Sequence, residues 1–236
     1  MTLDRISRRT LLAGITGGSA ASLGGLALMT EGSRAYTDTM QLQTEAIEDC
    51  VIDWRETYNG ATLTDTTAGT VSTEPSGPAI SLGNVLPGDS GSLSVRLRIV
   101  TDGSGGGDGP AVEPELTVSL RDGGEPTSIQ EYIDIAVWYD TGLFDVGALG
   151  SDNAEHDPGE RLVDSGASGT LGDVAAALED GVALDASPLT PGASCLGAED
   201  AVTVTFGWSF PPDQADINAA QGDTVEFDIQ FDVTQC

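Results

Sequence analysis

The chain has 236 residues, with 38 Asp and Glu against 9 Lys and Arg, all nine of them Arg, for a formal net charge of −29. Such a charge excludes nucleic acid and anionic membrane surfaces as electrostatic partners. The length suits one substantial domain behind a leader. The acids are spread along the chain and Lys is absent, which favours a whole surface adapted to concentrated salt over a single local acidic patch, because salt screens the self-repulsion.

In chain order, the first element is "MTLDRISRRTLLAGITGGSAASLGGLALM". A basic start (Arg5, Arg8, Arg9) leads into a Gly- and Ala-rich apolar run from Leu11 to Met29, the form of a secretory leader. Ser7-Arg8-Arg9-Thr10-Leu11-Leu12 fits the twin-arginine variant. The run is too weakly hydrophobic for a permanent membrane span, so the mature form is expected to have no stable one. Ser33-Arg34-Ala35 is a small-x-small site, so residues 1–35 read as signal peptide, cleaved between Ala35 and Tyr36. The mature protein is then a single domain, 36–236, secreted or held at the cell surface.

Its first part, 36–48, reads as an extended segment, with strand candidates at Thr39–Glu48, Val51–Thr57 and Ala79–Leu82. "SLSVRLRIV" alternates Leu93, Val95, Leu97 and Ile99 with outward Arg96 and Arg98. Thr101–Glu115 is a Gly- and Asp-rich loop. "ELTVSL" and "YIDIAVWY" are two further strands, and Arg161–Val163 is a weaker one. "TLGDVAAALEDGVAL" places Leu171, Val174, Ala175, Leu178 and Val182 at helical spacing, with Thr170 as cap and Gly181 near the end. "AVTVTFGWSF" and "DTVEFDIQFDV" complete the set, the latter with Val225, Phe227, Ile229, Phe231 and Val233 on one face. Period-two alternation means one face packs and the other meets solvent. The fold class is therefore mainly β: a jelly-roll-like antiparallel β-sandwich with one short crossover helix.

The same pieces, in this order, resemble the TasA/camelysin-type secreted proteins, and most closely their salt-loving archaeal relatives with SipW-type signal peptides. The residues that carry the resemblance are the leader, Pro87-Gly88-Asp89, Trp138-Tyr139-Asp140, Asp157-Pro158-Gly159-Glu160, Gly169 to Leu178, Trp208, and Gln221 to Cys236. Tyr36-Thr37-Asp38 stands where the family has an aromatic–Ser–Asp site, and Cys195 stands alone before the Trp strand. The resemblance implies a jelly-roll subunit of extracellular matrix or biofilm that builds filaments by lending an extended strand to a neighbour. The donor is then the segment Tyr36–Glu48. Strand addition satisfies an open sheet edge, and a head-to-tail contact that does not close gives a filament.

Three cysteines remain, Cys50, Cys195 and Cys236. An odd count leaves one unpaired. Cys195 with Cys236 is the preferred pair, because it pins the last strand. The single histidine, His156, sits in the acidic stretch Val137–Val163. One His cannot build a two-His zinc peptidase site, and no Ser lies on a nucleophile elbow, so no catalytic residue is assigned and His156 reads as a solvated loop residue. Asp140, Asp152, Asn153, Asp157 and Glu160 offer hard oxygen ligands on a Gly-kinked loop, a candidate calcium set. The spacing is not that of an EF-hand, and a solvated acidic loop remains the alternative. Trp54, Trp138 and Trp208 lie in strand patterns, with core packing as the default and a carbohydrate-stacking platform as the sharper reading.

The functional expectation is a secreted, non-enzymatic structural protein that self-assembles through its N-terminal strand. The alternative is a monomeric surface module for a ligand or polysaccharide, stabilised by calcium; a hydrolase comes third.

Overall fold

A computed structural model describes residues 34–44, 50–65, 81–83, 85–99, 111–120, 128–142, 152–187, 192–198, 200–214, 217–220 and 225–236. The leader reading of Met1–Ser33 lies outside these residues. Arg34–Cys236 forms one compact unit.

Eleven strands follow along the chain: β1 (Arg34–Thr44), β2 (Cys50–Tyr58), β3 (Ala61–Asp65), β4 (Ser81–Gly83), β5 (Ser90–Ile99), β6 (Val112–Leu120), β7 (Asp134–Tyr139), β8 (Ser168–Thr170), β9 (Val182–Ala183), β10 (Ala201–Ser209) and β11 (Val225–Gln235). Among the described residues one α-helix, α1 (Leu171–Leu178), lies between β8 and β9. The strands form two sheets, β4-β1-β11-β6-β9 and β3-β2-β5-β10-β7-β8. Setting β2, β3 and β4 aside, the other eight pair from the outside in: β1 with β11, β5 with β10, β6 with β9, β7 with β8. That nesting is the winding of a jelly roll. One pairing departs from the antiparallel expectation: β1 runs parallel to β11 over Tyr36–Thr44.

The core is the space between the sheets. Leu93, Val95, Leu97 and Ile99 of β5 and Val204, Phe206 and Trp208 of β10 meet Leu116 and Val118 of β6 and Phe227, Ile229 and Phe231 of β11, all buried. Each such side chain stabilises the fold by about 1.5–3 kcal/mol. Helix α1 adds Leu171, Val174, Ala175 and Leu178 to the same core, and Thr170 caps it by accepting from Asp173 N at 3.2 Å.

Local differences from expectation have local causes. The helix stops at Leu178, and Gly181, at φ +86°, turns the chain so that Val182 pairs with Leu116 as strand β9. Strand β6 begins at Val112, inside the expected loop, and contains Pro114. The Pro114 carbonyl accepts from Leu184 N at 2.8 Å, on the side away from β11. Its missing N–H falls on that side too, so the β11 ladder loses nothing. Arg161–Val163 is not a strand; only a single bridge, Trp138 to Leu162, forms there.

The Pro-Gly-Asp turn ties the sheet end together. Pro87 and Gly88 (φ +97°) make a tight turn closed by Asp89 N to Leu86 O at 2.9 Å, the geometry that requires Gly at its third position. The Asp89 carboxylate accepts from Tyr58 Oη (2.6 Å), Asn59 Nδ2 (2.9 Å) and Leu86 N (2.7 Å). One side chain thereby joins the β2–β3 hairpin, the turn and the start of β5.

Candidate functional site

Two regions carry the features the sequence singled out: the slot that holds β1, and the outer face of the larger sheet.

Strand β1 lies between β4 and β11. Its register sets Tyr36 opposite Val225, Met40 opposite Ile229 and Leu42 opposite Phe231, and Thr37, Thr39, Gln41 and Gln43 opposite the polar residues of β11. Apolar residues of β1 thus stand opposite apolar residues of β11 in the register. Asp38, opposite Phe227, breaks that pattern. Ala35 and Tyr36, the expected cleavage point, both fall inside β1. On its other side, among the described residues, β1 pairs with the three-residue β4. A parallel pair has no hairpin joining its members, so no tight turn ties β1 to β11. Residues 45–48 of the expected donor lie outside the described residues.

Cys195 and Cys236 are joined by a disulfide, with Cα atoms 6.2 Å apart. It fastens the end of β11 to the segment around Leu196, which bridges to Val112 at the start of β6. Cys50 is free and buried, and burial pushes its thiol up to about 11.

On the outer face of the larger sheet, side chains stand in cross-strand rows fixed by register. One row is Asp53–Arg96–Thr203; the next is Arg55–Ser94–Thr205–Trp138; a third is Thr57–Ser92–Gly207–Ala136–Ser168. The loop 152–160 docks on the first two. Asp152 accepts from the Thr203 hydroxyl and pairs with Arg96 Nη1 at 3.9 Å, while its carbonyl accepts from Arg55 Nη1 at 2.6 Å. Asp140 receives Asn153 N (3.2 Å) and Ala154 N (2.8 Å), and the Thr205 hydroxyl lies 3.1 Å from its Oδ2. Glu160 receives Thr141 N (2.8 Å), Gly142 N (2.7 Å) and Asp157 N (2.7 Å). Asn153 Nδ2 donates to Asp157 Oδ2 at 2.8 Å, and Asn153 Oδ1 receives Glu155 N at 2.7 Å. Asp152 and Ala154 take positive φ, +56° and +65°, conformations that cost non-Gly residues free energy and persist where contacts fix them.

All five residues of the candidate calcium set therefore lie in one loop region, but Asp140 and Glu160, the two most enclosed, turn their oxygens toward backbone N–H donors. Among the described residues no three His, Cys, Asp or Glu side chains converge as a metal cluster. The arrangement works as a carboxylate clasp that holds an irregular loop without a hydrogen-bonded ladder. Asp140 is 3% exposed, and burial raises its carboxyl to about 6 against the pull of the Ala154 and Asn153 amides and the Thr205 hydroxyl. Buried charge is costly unless donors surround it; here the donors are supplied by the loop that Asp140 holds.

His156 is exposed, with its ring 5.0 Å from that of Trp138 and its Nε2 3.2 Å from Glu160 O. Of the three tryptophans, Trp208 is in the core and Trp54 packs half-buried against it. Trp138 departs from core packing: it is buried on the outer face, beneath His156 and over Gly207. A Cβ on Gly207 would come within 2.7 Å of the Trp138 ring.

The sheet residues that hold the loop, Arg55, Arg96, Thr203 and, through Asp140, Thr205, were not singled out as site residues by sequence. A signal existed: Ser92, Ser94, Thr203 and Thr205 are hydroxyl residues at outward positions of β5 and β10, and all four are buried. A second layer over the sheet explains that burial for Ser94, Thr203 and Thr205, while Ser92 is held by the Thr57 hydroxyl at 2.6 Å.

No family model, curated protein or solved structure matches the chain. No helix among the described residues is long and apolar enough to cross a membrane.

Proposed function

We propose that this protein is a secreted, non-enzymatic structural subunit of the cell surface or extracellular matrix, assembling into filaments by exchange of its N-terminal strand. The observation that carries the reading is the position of β1. It lies in the slot between β4 and β11, in a register that sets apolar residues opposite apolar residues of β11. The slot accepts a strand without regard to which chain supplies it, because only backbone groups and side-chain alternation are read. A strand donated head to tail leaves each subunit with one filled slot and one strand to give, which propagates without closing.

The test uses two singly substituted proteins. Gln41 of β1 and Gln230 of β11 are register partners. Gln41→Cys and Gln230→Cys proteins, mixed and oxidised in molar salt, should give a covalent dimer on a non-reducing gel, which strand exchange between chains alone produces. Negative-stain microscopy of the unsubstituted protein should show filaments that are lost when residues 36–48 are deleted. Monodisperse particles at every salt concentration, with no mixed cross-link, would sink the reading.

A further inference from the structure

The loop 152–160 docks on two adjacent cross-strand rows of the larger sheet's outer face and stops short of the row beside them. That row, Thr57–Ser92–Gly207–Ala136–Ser168, crosses five adjacent strands, a length of roughly 19 Å at the usual strand spacing of about 4.8 Å. It forms the floor of a trench of about 490 Å³. Trp138 and Ala154 line one side; Ser90, Ser209 and Asp134 line the other, and Glu155 sits at the rim. The floor stays low because its side chains are small. Gly207 yields its Cβ space to the Trp138 ring, so the indole stands directly above the floor as a wall.

The chemistry of the lining selects among ligands. It offers the hydroxyls of Ser90, Ser168 and Ser209 and two exposed carboxylates, Asp134 and Glu155, with no cation, while the Thr57 and Ser92 hydroxyls are bonded to each other at 2.6 Å. The arginines of this face are already engaged: Arg55 with Asp65, Arg96 with Asp152 and Arg98 with Asp53. An anionic ligand would find no partner and a net charge of −29. An apolar ligand would strand the hydroxyls. Trp138 closes one side without offering a donor: it is 3% exposed, and the edge it sets over Gly207 is the carbon edge of the indole, Cζ3 and Cη2.

We propose that this trench binds a neutral polysaccharide chain lying across the strands. Sugar hydroxyls match a lining of hydroxyls and carboxylates, and hydrogen bonds, unlike charge pairing, survive concentrated salt. The open trench gives weak single-site binding, which a filament multiplies by presenting one trench per subunit. The proposal does not depend on filament formation.

The test is titration calorimetry of the whole secreted protein in about 2 M NaCl, where ionic screening is near complete. The probes are neutral β-1,4-glucose, α-1,4-glucose and β-1,4-mannose hexasaccharides, a hexauronate and a Lys-rich peptide. At least one neutral hexasaccharide should bind with Kd below about 1 mM. Ser168→Tyr, which fills the trench from an exposed position, should weaken it by about tenfold or more. The double variant Asp134→Asn, Glu155→Gln, which removes two rim charges without adding bulk, should weaken it by about threefold or more. No neutral binding at this level, binding of the hexauronate or the Lys-rich peptide alone, or neutral binding unchanged in both variants would overturn the proposal.

Discussion

Asp140 sits at the meeting point of β7, β10 and the loop 152–160, and its carboxylate is both buried and needed. Burial raises its carboxyl from 3.8 to about 6. In the folded chain it holds its proton at a higher pH than in the unfolded chain, so folding binds a proton between those values. Stability is therefore lost as pH rises from about 4 to about 6 and is flat above that. Two pKa units correspond to about 3 kcal/mol at most. Asp140→Asn removes the titrating group while keeping an oxygen for Ala154 N and Thr205. The difference in unfolding free energy between the two proteins, measured by urea denaturation in molar salt, should change by up to about 3 kcal/mol across that window. Parallel curves would show that the charge of Asp140 is not destabilised by the fold. Glu160 has a similar set of amide donors, and it is the second anchor of the same clasp.

At the scale of elements, the disulfide and the first strand meet on β11. Cys236 is the residue after β11, and β1 pairs with the same strand as far as Val233. The Cys195–Cys236 bond closes a loop with a sequence separation of 41, which constrains the unfolded chain by about 4 kcal/mol in the loop-entropy account. Replacing both cysteines by Ser should lower the unfolding free energy by about 2–4 kcal/mol. It should also weaken the mixed Gln41–Gln230 cross-link by freeing the end of the strand that receives β1. An unchanged denaturation midpoint would mean that the bond constrains nothing the fold does not already hold. The long strands were legible in the sequence because each of β5, β10 and β11 alternates strictly, and so was the helix cap at Thr170. Strands β8 and β9, of three and two residues, are too short to show a period. The parallel sense of β1 was not legible, since alternation sets which face a residue occupies and says nothing of direction. The acidic loop was visible as a cluster of oxygens. That those oxygens meet amides of their own loop depends on positive φ at Asp152 and Ala154, which composition does not encode. Trp138 was legible as a strand residue and not as an outer-face one, because the layer that buries it comes from residues 152–160.

For the whole molecule the governing quantity is charge. The sequence holds nine Arg in all, and those with described partners, Arg55, Arg96, Arg98 and Arg161, each pair with an Asp of the same subunit. Three of them, at Arg55, Arg96 and Arg161, are partly exposed and contribute about 0–1 kcal/mol each, so salt that weakens them costs the fold little, while Asp53 is buried against Arg98 and screened less. The excess acids have no such partners to draw on and repel one another until mobile cations screen them. The screening length falls from about 10 Å at 0.1 M salt to about 3 Å at 1 M, from beyond the spacing of neighbouring surface charges to within it. The melting temperature should therefore rise steadily between about 0.1 and 2 M NaCl, and sucrose at matched osmolality should not reproduce the rise. For the proposed filament the dependence should be steeper than for subunits, because strand exchange would bring two like-charged chains into contact, and like-charged surfaces resist association more than they resist folding. Filaments diluted into 0.1 M salt should release folded subunits before those subunits unfold, a sequence that light scattering and tryptophan fluorescence read separately on one sample. A melting temperature independent of salt would assign the acids to some role other than tolerance of brine, and unfolding before disassembly would mean that the subunit cannot keep its own slot filled. The disassembled state has that means in β1, which occupies the slot of its own chain in the structure. Exchange between this closed form and the proposed filament would trade like strand for like strand, so the balance would be set by charge and concentration, with salt the variable that moves it.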